Sequence, residues 1–193
     1  MELSKRQLQI IDAAGKLLSE GGIQNLTIKK LAFEMGFSEA ALYRHFKSKD
    51  EIIYAMLTYL AQDMDERIST LINNNDSATE KIYTLFENQF KFFKKHKHYL
   101  SVVFSDGLWE QSENIHIAVK KIMSTKHKHL KLIIEEGIKN KELTAKLSSE
   151  SLIHILMGTF RLHVLKWRIS GYKFDLVTSG NQLVQDYVKL IKV

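Results

Sequence analysis

The sequence predicts an all-α protein, and three observations carry that prediction. The 193 residues contain no proline, where average usage would place about ten, so no residue is barred from a helix interior. Apolar residues recur at intervals of three and four along almost every segment, the spacing of one face of a helix. Ser or Thr followed three residues later by Glu, and short Gly or Asn runs, mark where such helices begin and end.

The elements follow in order. Lys5 to Glu20 places Leu8, Ile11, Ala14, Leu17 and Leu18 on one face, and Gly21-Gly22 ends it. Thr27 caps a short helix whose apolar face is Ile28, Leu31, Ala32 and Met35. Gly36 stands where a helix end turns left-handed without a Cβ clash. Phe37 tucks under that turn, and Ser38 caps a second short helix, Glu39 to Phe46, with Ala41, Leu42 and Phe46 facing inward. Ser48-Lys49-Asp50-Glu51 reads as a capping box opening a long helix over 49–71. The run Asn73 to Asp76 breaks it, and a second box, Ser77 to Glu80, opens a helix with Ile82, Phe86, Phe90 and Phe93 on one face. Tyr99 to Phe104 is a shorter apolar segment before a loop around Gly107. Helices at Ile115 to about Lys139, Ser148 to Ile169 and Asp175 to Ile191 complete the chain.

Two short helices joined by a Gly-containing turn over about residues 27–46 fit a helix-turn-helix, with the flanking helices as packing partners. The expected architecture is therefore a three-helix helix-turn-helix DNA-binding domain, residues 1–50. A larger helical domain, 51–193, follows and is entered by the connecting helix 49–71.

Composition bounds the rest. With 45% hydrophobic and 26% charged residues the chain is a globular protein. The absence of cysteine excludes disulfides, thiolate metal sites and a cysteine nucleophile. No apolar run nears the ~20 residues of a membrane span, and the N-terminal stretch lacks a signal-peptide core, so the expected location is the cytoplasm, with no membrane partner. The net charge of +6 is uneven: residues 1–50 carry 8 Lys/Arg against 6 Asp/Glu, only +2. DNA binding is thus argued from individual cations rather than from net charge.

The chain resembles the tetracycline-repressor (TetR) family of bacterial transcription regulators. The residues that carry the resemblance are Ile10 to Ala14 with Leu17-Leu18 and Gly21-Gly22, Leu26-Thr27-Ile28 with Leu31-Ala32, Gly36-Phe37-Ser38, Leu42 to Phe46, and Lys47 to Asp50. Over roughly residues 5–60 the match is dense. The Glu135 to Asn140 stretch and the paired final helices resemble the family's variable C-terminal domain more loosely. Glu39 departs from the neutral or small residue more common near the start of the recognition helix. The resemblance implies that residues 51–193 form a helical ligand-binding and dimerisation domain, with a homodimer built through the last two helices, a palindromic operator in double-stranded DNA, and a small effector that enters the body and releases the heads. Repression, rather than activation, is implied by the resemblance alone.

Within the head, Thr27 and Lys29 stand at one helix start and Lys49 at the next, where backbone N–H groups and the helix dipole attract phosphate. Tyr43 and Lys47 reach backbone oxygens. Arg44 is the candidate for a bidentate contact to guanine, Glu39 for a cytosine amino group and Ala40 for a thymine methyl. His45 meets phosphate or base, and Ser38 completes the set.

In the body, the resemblance points to Phe86, Phe90, Met123, Met157 and Phe160 as lining an effector site, with Gln89, Thr159 or His163 supplying polar groups. Such a site suits a small hydrophobic effector. The helix from Ser148 is apolar nearly all round and needs more than one partner surface, which makes Leu152, Leu156, Val164, Trp167, Leu183, Val184, Tyr187 and Ile191 the expected dimer interface. The histidine pairs His96/His98 and His127/His129 lie two apart, on different sides of a helix, so no metal and no cofactor are expected. No catalytic set or Gly-rich phosphate loop is visible, and no enzyme activity is expected. The alternatives are a helical small-molecule-binding protein without operator binding, against which Arg44, Lys47 and Lys49 argue, or an activator using the same DNA-binding unit.

Overall fold

A computed structural model of the chain describes residues 3–73, 75–104, 108–110 and 112–193, except for the side chain of Trp109. The expected loop around Gly107 lies outside these residues. The elements are α1 (Lys5–Asn25), α2 (Ile28–Glu34), α3 (Glu39–Tyr43), α4 (Lys49–Leu71), α5 (Ala78–Lys95), α6 (Leu100–Val103), α7 (Glu113–Lys139), α8 (Ser149–Ile169) and α9 (Leu176–Ile191). Short 3-10 turns span Lys97–Tyr99 and Leu108–Glu110. Among the described residues the β structure is one isolated bridge, Leu143 to Lys192. The fold is all-α, as expected.

The local signals explain most of the boundaries. Ser4 and Gln7 close a capping box at the start of α1. The Gly21-Gly22 pair breaks the helical backbone inside α1, with Gly22 at φ +67°. Thr27 accepts from the Lys30 N–H, and Ser38 from the Ala41 N–H, both at 3.2 Å. Ser77 and Glu80 close their expected box in both directions. The Ser48 box forms by half. Its Oγ accepts from the Glu51 N–H at 3.1 Å, but the Glu51 carboxylate turns to the Lys47 N–H. α3 is shorter than the expected Glu39–Phe46, ending at Tyr43, because His45 and Phe46 both turn their N–H groups onto the single Leu42 carbonyl.

The helices divide into two compact units, Met1–Asp63 with His96–Met123, and Met64–Lys95 with Ser124–Val193. The core of the first unit includes Ile10, Ile11, Ala14 and Leu18 of α1, Leu31 and Leu42 of the two short helices, and Ile52, Ile53 and Met56 of α4. α1 also packs on α6 and the turn before it. Gly15 permits that approach, since a Cβ there would lie 2.7 Å from the His98 ring. His98 Nε2 stands 3.1 Å from Asp12 without the alignment of a hydrogen bond, and burial pushes its pKa down.

In the second unit α5 runs along α9, and α8 pairs with α9. Tyr187 donates to the Leu152 carbonyl at 2.7 Å, tying α9 to α8. Asp175 caps α9 and pairs with Lys94, which holds its carboxyl down at about 2. The closest approach is at Gly180, where an added Cβ would sit 2.5 Å from the Phe90 ring. Gly180→Ala should therefore destabilise the protein. Overpacking costs about 1–3 kcal/mol, while the better helix former returns up to ~1 kcal/mol. In a Phe90→Leu background the clash is relieved and the same substitution should be neutral or stabilising. Urea denaturation of the four proteins measures this coupling, and additive effects would refute it.

Candidate nucleic-acid interface and effector site

The head is assembled from local rules. α2 ends at Met35, and Gly36 takes φ +66°, the left-handed conformation that an L side chain resists. The Phe37 N–H donates back to the Ala32 carbonyl at 2.8 Å, so the chain reverses between α2 and α3. Leu42 and Phe46 then bury their side chains, and Ala41 is half-buried. Between them they orient α3, so that Glu39, Ala40, Tyr43 and Arg44 point to solvent and His45 is half-buried. Gln7 of α1 donates to the His45 carbonyl at 3.3 Å, and the Arg6 guanidinium lies 5.1 Å over the Phe37 ring. These two α1 residues brace the turn and carry no signal in the sequence that would single them out.

The other residues expected to contact DNA lie on α2 and around the start of α4. Lys29 and Lys47 are exposed and Lys49 is half-exposed at the start of α4. The hydroxyl oxygens of Thr27 and Ser38 are occupied as caps, which leaves each O–H proton free to donate outward. A surface with four cations, a phenol, two hydroxyls and one carboxylate, flanked by exposed helix starts, can bind phosphate and read base edges.

Phe86, Phe90, Phe93 and Phe160 form one buried aromatic layer in the second unit. Phe160 sits 5.4 Å from Phe86, 5.3 Å from Phe90 and 6.2 Å from Phe93. His163 stacks edge-on to Phe90 at 6.0 Å and meets the Ser179 hydroxyl at 3.0 Å, while burial lowers its pKa. Gln89 is buried and its Oε1 accepts no hydrogen bond. Met157 and Thr159 are half-buried, whereas Met123 is 54% exposed. An open groove of about 450 Å³ is lined by Lys91, Lys94, Lys95, Asp175, Val177 and Thr178, none of them expected effector residues.

Lys126 joins the aromatic layer unanticipated. It is buried, with Nζ 3.7 Å over the Phe160 ring and 5.8 Å from that of Phe86. Desolvation, with the nearby Arg67 charge, lowers its pKa to about 7. The signal was present in the spacing, since Lys126 stands four residues from both Ile122 and Leu130 on the inward stripe of α7.

Most of the residues expected at a dimer interface take part in this chain's own packing. Leu152, Leu156, Val164, Trp167, Val184, Tyr187 and Ile191 are buried inside the chain itself, and Leu183 is half-buried. Within the chain, α8 packs on α9 and α9 on α5. The apolar residues that α8 leaves exposed are Ile155, Leu162, Leu165 and Ile169. These fall at heptad spacing, with Gly158 between the first two.

The histidines are dispersed. His127 meets Glu150 at 2.7 Å and His129 meets Asp65 at 2.6 Å. Among the described residues no group of three His, Cys, Asp or Glu could hold a metal ion, and no helix is long and apolar enough to cross a membrane.

Comparison with known proteins places this geometry. Residues 10–56 match the model of bacterial regulatory proteins of the tetR family, and residues 60–191 match that of the YsiA-like protein C-terminal region. The fatty acid metabolism regulator protein of Bacillus subtilis is 24% identical over 180 residues, covering 93% of this chain and 92% of that one. A nucleoid occlusion factor, SlmA of Colwellia psychrerythraea, is 23% identical over 177 residues, with 92% and 89% covered. Among solved structures, FadR from Bacillus subtilis in complex with stearoyl-CoA superposes with a TM-score of 0.83 at 24% identity, over 94% of this chain and 97% of that one. FadR from Bacillus halodurans does so at 0.87 with 19% identity, over 97% of each. The Bacillus subtilis relative and both FadR structures are named as regulators. With both of its regions matched, the chain belongs to the tetR family of bacterial regulatory proteins and is a transcriptional regulator.

Proposed function

We propose that the protein is a homodimeric repressor that leaves a palindromic operator when a small hydrophobic effector binds its body. The single observation that carries the reading is the exposed face of α3, where Ala40, Tyr43 and Arg44 point outward from a helix held by Leu42 and Phe46. Residues 1–50 are the DNA-binding head and 51–193 the effector-binding and dimerisation body, acting in the cytoplasm. Arg44 reads a base edge. Lys29, Lys47, Lys49, Tyr43 and the Thr27 and Ser38 hydroxyls hold phosphates, and Glu39, Ala40 and His45 complete the contact.

The aromatic layer of Phe86, Phe90 and Phe160, with Gln89, His163 and Met157 beside it, supports an apolar effector. The stearoyl-CoA bound by the structural relative from Bacillus subtilis supports one that carries an acyl chain. For the dimer, the reading rests on Ile155, Leu162, Leu165 and Ile169, an exposed apolar heptad on α8.

Fluorescence anisotropy against duplex from the protein's own upstream region, at roughly 150 mM salt, tests the DNA reading. Arg44→Ala should weaken binding about 5- to 150-fold, the loss of one bidentate base contact, and should flatten discrimination against a scrambled duplex. Equal, weak binding to every duplex, followed by a failed selection over random DNA, would reject operator recognition.

A further inference from the structure

We propose that Gln7 of α1 is a positioning residue for operator recognition, fixing the pose of α3 through the His45 carbonyl. This role rests on the operator reading above and adds a determinant that lies outside the DNA-contacting set.

α3 has five residues, a length at which a helix takes its pose from its packing. Leu42 and Phe46 bury it, but apolar burial is non-directional and sets its depth better than its tilt. Directional contacts at both ends come from two consecutive residues of α1. Before the Ser38 cap, the Arg6 guanidinium lies 5.1 Å over the Phe37 ring. Past the last turn, Gln7 Nε2 donates to the His45 carbonyl at 3.3 Å, one of the groups that a helix end leaves in need of an outside partner.

The Gln7 side chain arrives there already ordered. Its Oε1 accepts from the Ser4 N–H at 3.0 Å, and its own N–H donates to the Ser4 hydroxyl at 3.2 Å. This capping box leaves the carboxamide NH2 free to meet His45. Tyr43 and Arg44 immediately precede His45, so a shift at its carbonyl displaces the side chains that face DNA, and hydrogen bonds to base edges weaken steeply with misalignment. The two tasks of Gln7 are chemically separable. Glutamate in its place keeps the box but has no hydrogen to give the carbonyl.

Anisotropy of the unaltered chain, Gln7→Glu, Gln7→Ala and Ser4→Ala tests this role. The probes are duplex from the protein's own upstream region, or one selected from random DNA, and a scrambled duplex. Gln7→Glu and the uncharged Gln7→Ala should each bind the operator duplex about 3- to 10-fold more weakly, the range of one net hydrogen bond. Binding to the scrambled duplex should not change with Gln7→Ala. Ser4→Ala removes a cap and keeps the donor, so it should melt earlier yet retain full operator affinity when folded. Unchanged operator binding by Gln7→Ala would overturn the role, as would a loss matched by Ser4→Ala. A loss seen with Gln7→Glu alone, equal for both duplexes and shrinking at high salt, would assign it to added charge and overturn the role too. If the unaltered chain itself shows no preference between duplexes, the operator reading falls and this role with it.

Discussion

A Leu162→Glu/Ile169→Glu variant is expected to be monomeric and to bind operator at least about 100-fold more weakly than the unaltered protein, with its helical circular dichroism unchanged. Leu162 and Ile169 are 53% and 76% exposed on α8, so neither substitution removes a core contact. Placing carboxylates in an apolar seam desolvates them without partners, at several kcal/mol per pair of copies. Each 1.4 kcal/mol is about a tenfold change in association. Once separated, each head grips one half-site, and the advantage of a tethered second head, an effective concentration near the millimolar range, is lost. Sedimentation equilibrium beside anisotropy measures both effects. A dimer that survives both substitutions would place the interface elsewhere. A monomer with full operator affinity would refute the two-head reading.

Lys126→Met is expected to stabilise the protein by ~2–4 kcal/mol at neutral pH. Each tenfold displacement of the amine's proton equilibrium corresponds to about 1.4 kcal/mol. An amine moved from 10.5 to about 7 therefore opposes folding by several kcal/mol, of which methionine, similar in length and apolar, escapes most. The pH dependence has a definite sign. Between about 7 and 10.5 the unfolded chain holds a proton that the folded chain has released, so this group's contribution to stability rises with pH. The penalty is complete below about 7 and absent above 10.5. Urea denaturation at pH 7 and pH 10 should show the variant's advantage shrinking, and a constant advantage would assign it to packing rather than charge.

The parts of this fold that were legible in the sequence are those governed by neighbours in the chain. Thr27, Ser38 and Ser77 cap as their spacing predicts, and Gly36 takes the left-handed turn, because each depends on three or four consecutive residues. α8 was harder to divide. A helix apolar on most sides does not say which side the protomer consumes, and the inward set, Leu152, Leu156, Val164 and Trp167, was fixed by packing on the following helix α9 and on α5, the latter distant in sequence. The exposed heptad was what remained. Lys126 was obscured for a related reason: in a helix rich in lysines its charge suggested solvent, while its four-residue spacing from Ile122 and Leu130 placed it inward. Phe86, Phe90 and Phe93 fall on one buried face of α5, as their spacing predicts for an amphipathic helix.

The division of labour within α3 has an evolutionary consequence. Leu42 and Phe46 are buried, while Glu39, Ala40 and Arg44 are exposed and Tyr43 is exposed by half. Mutational drift at the outward four is therefore nearly silent for folding, since surface positions away from caps and cores shift stability by about 0.5 kcal/mol or less. On the proposed reading of α3, a lineage descended from such a chain can exchange one DNA address for another through single substitutions without passing through an unfolded intermediate. A gene duplicate is thereby free to acquire new targets while the scaffold stays as it was.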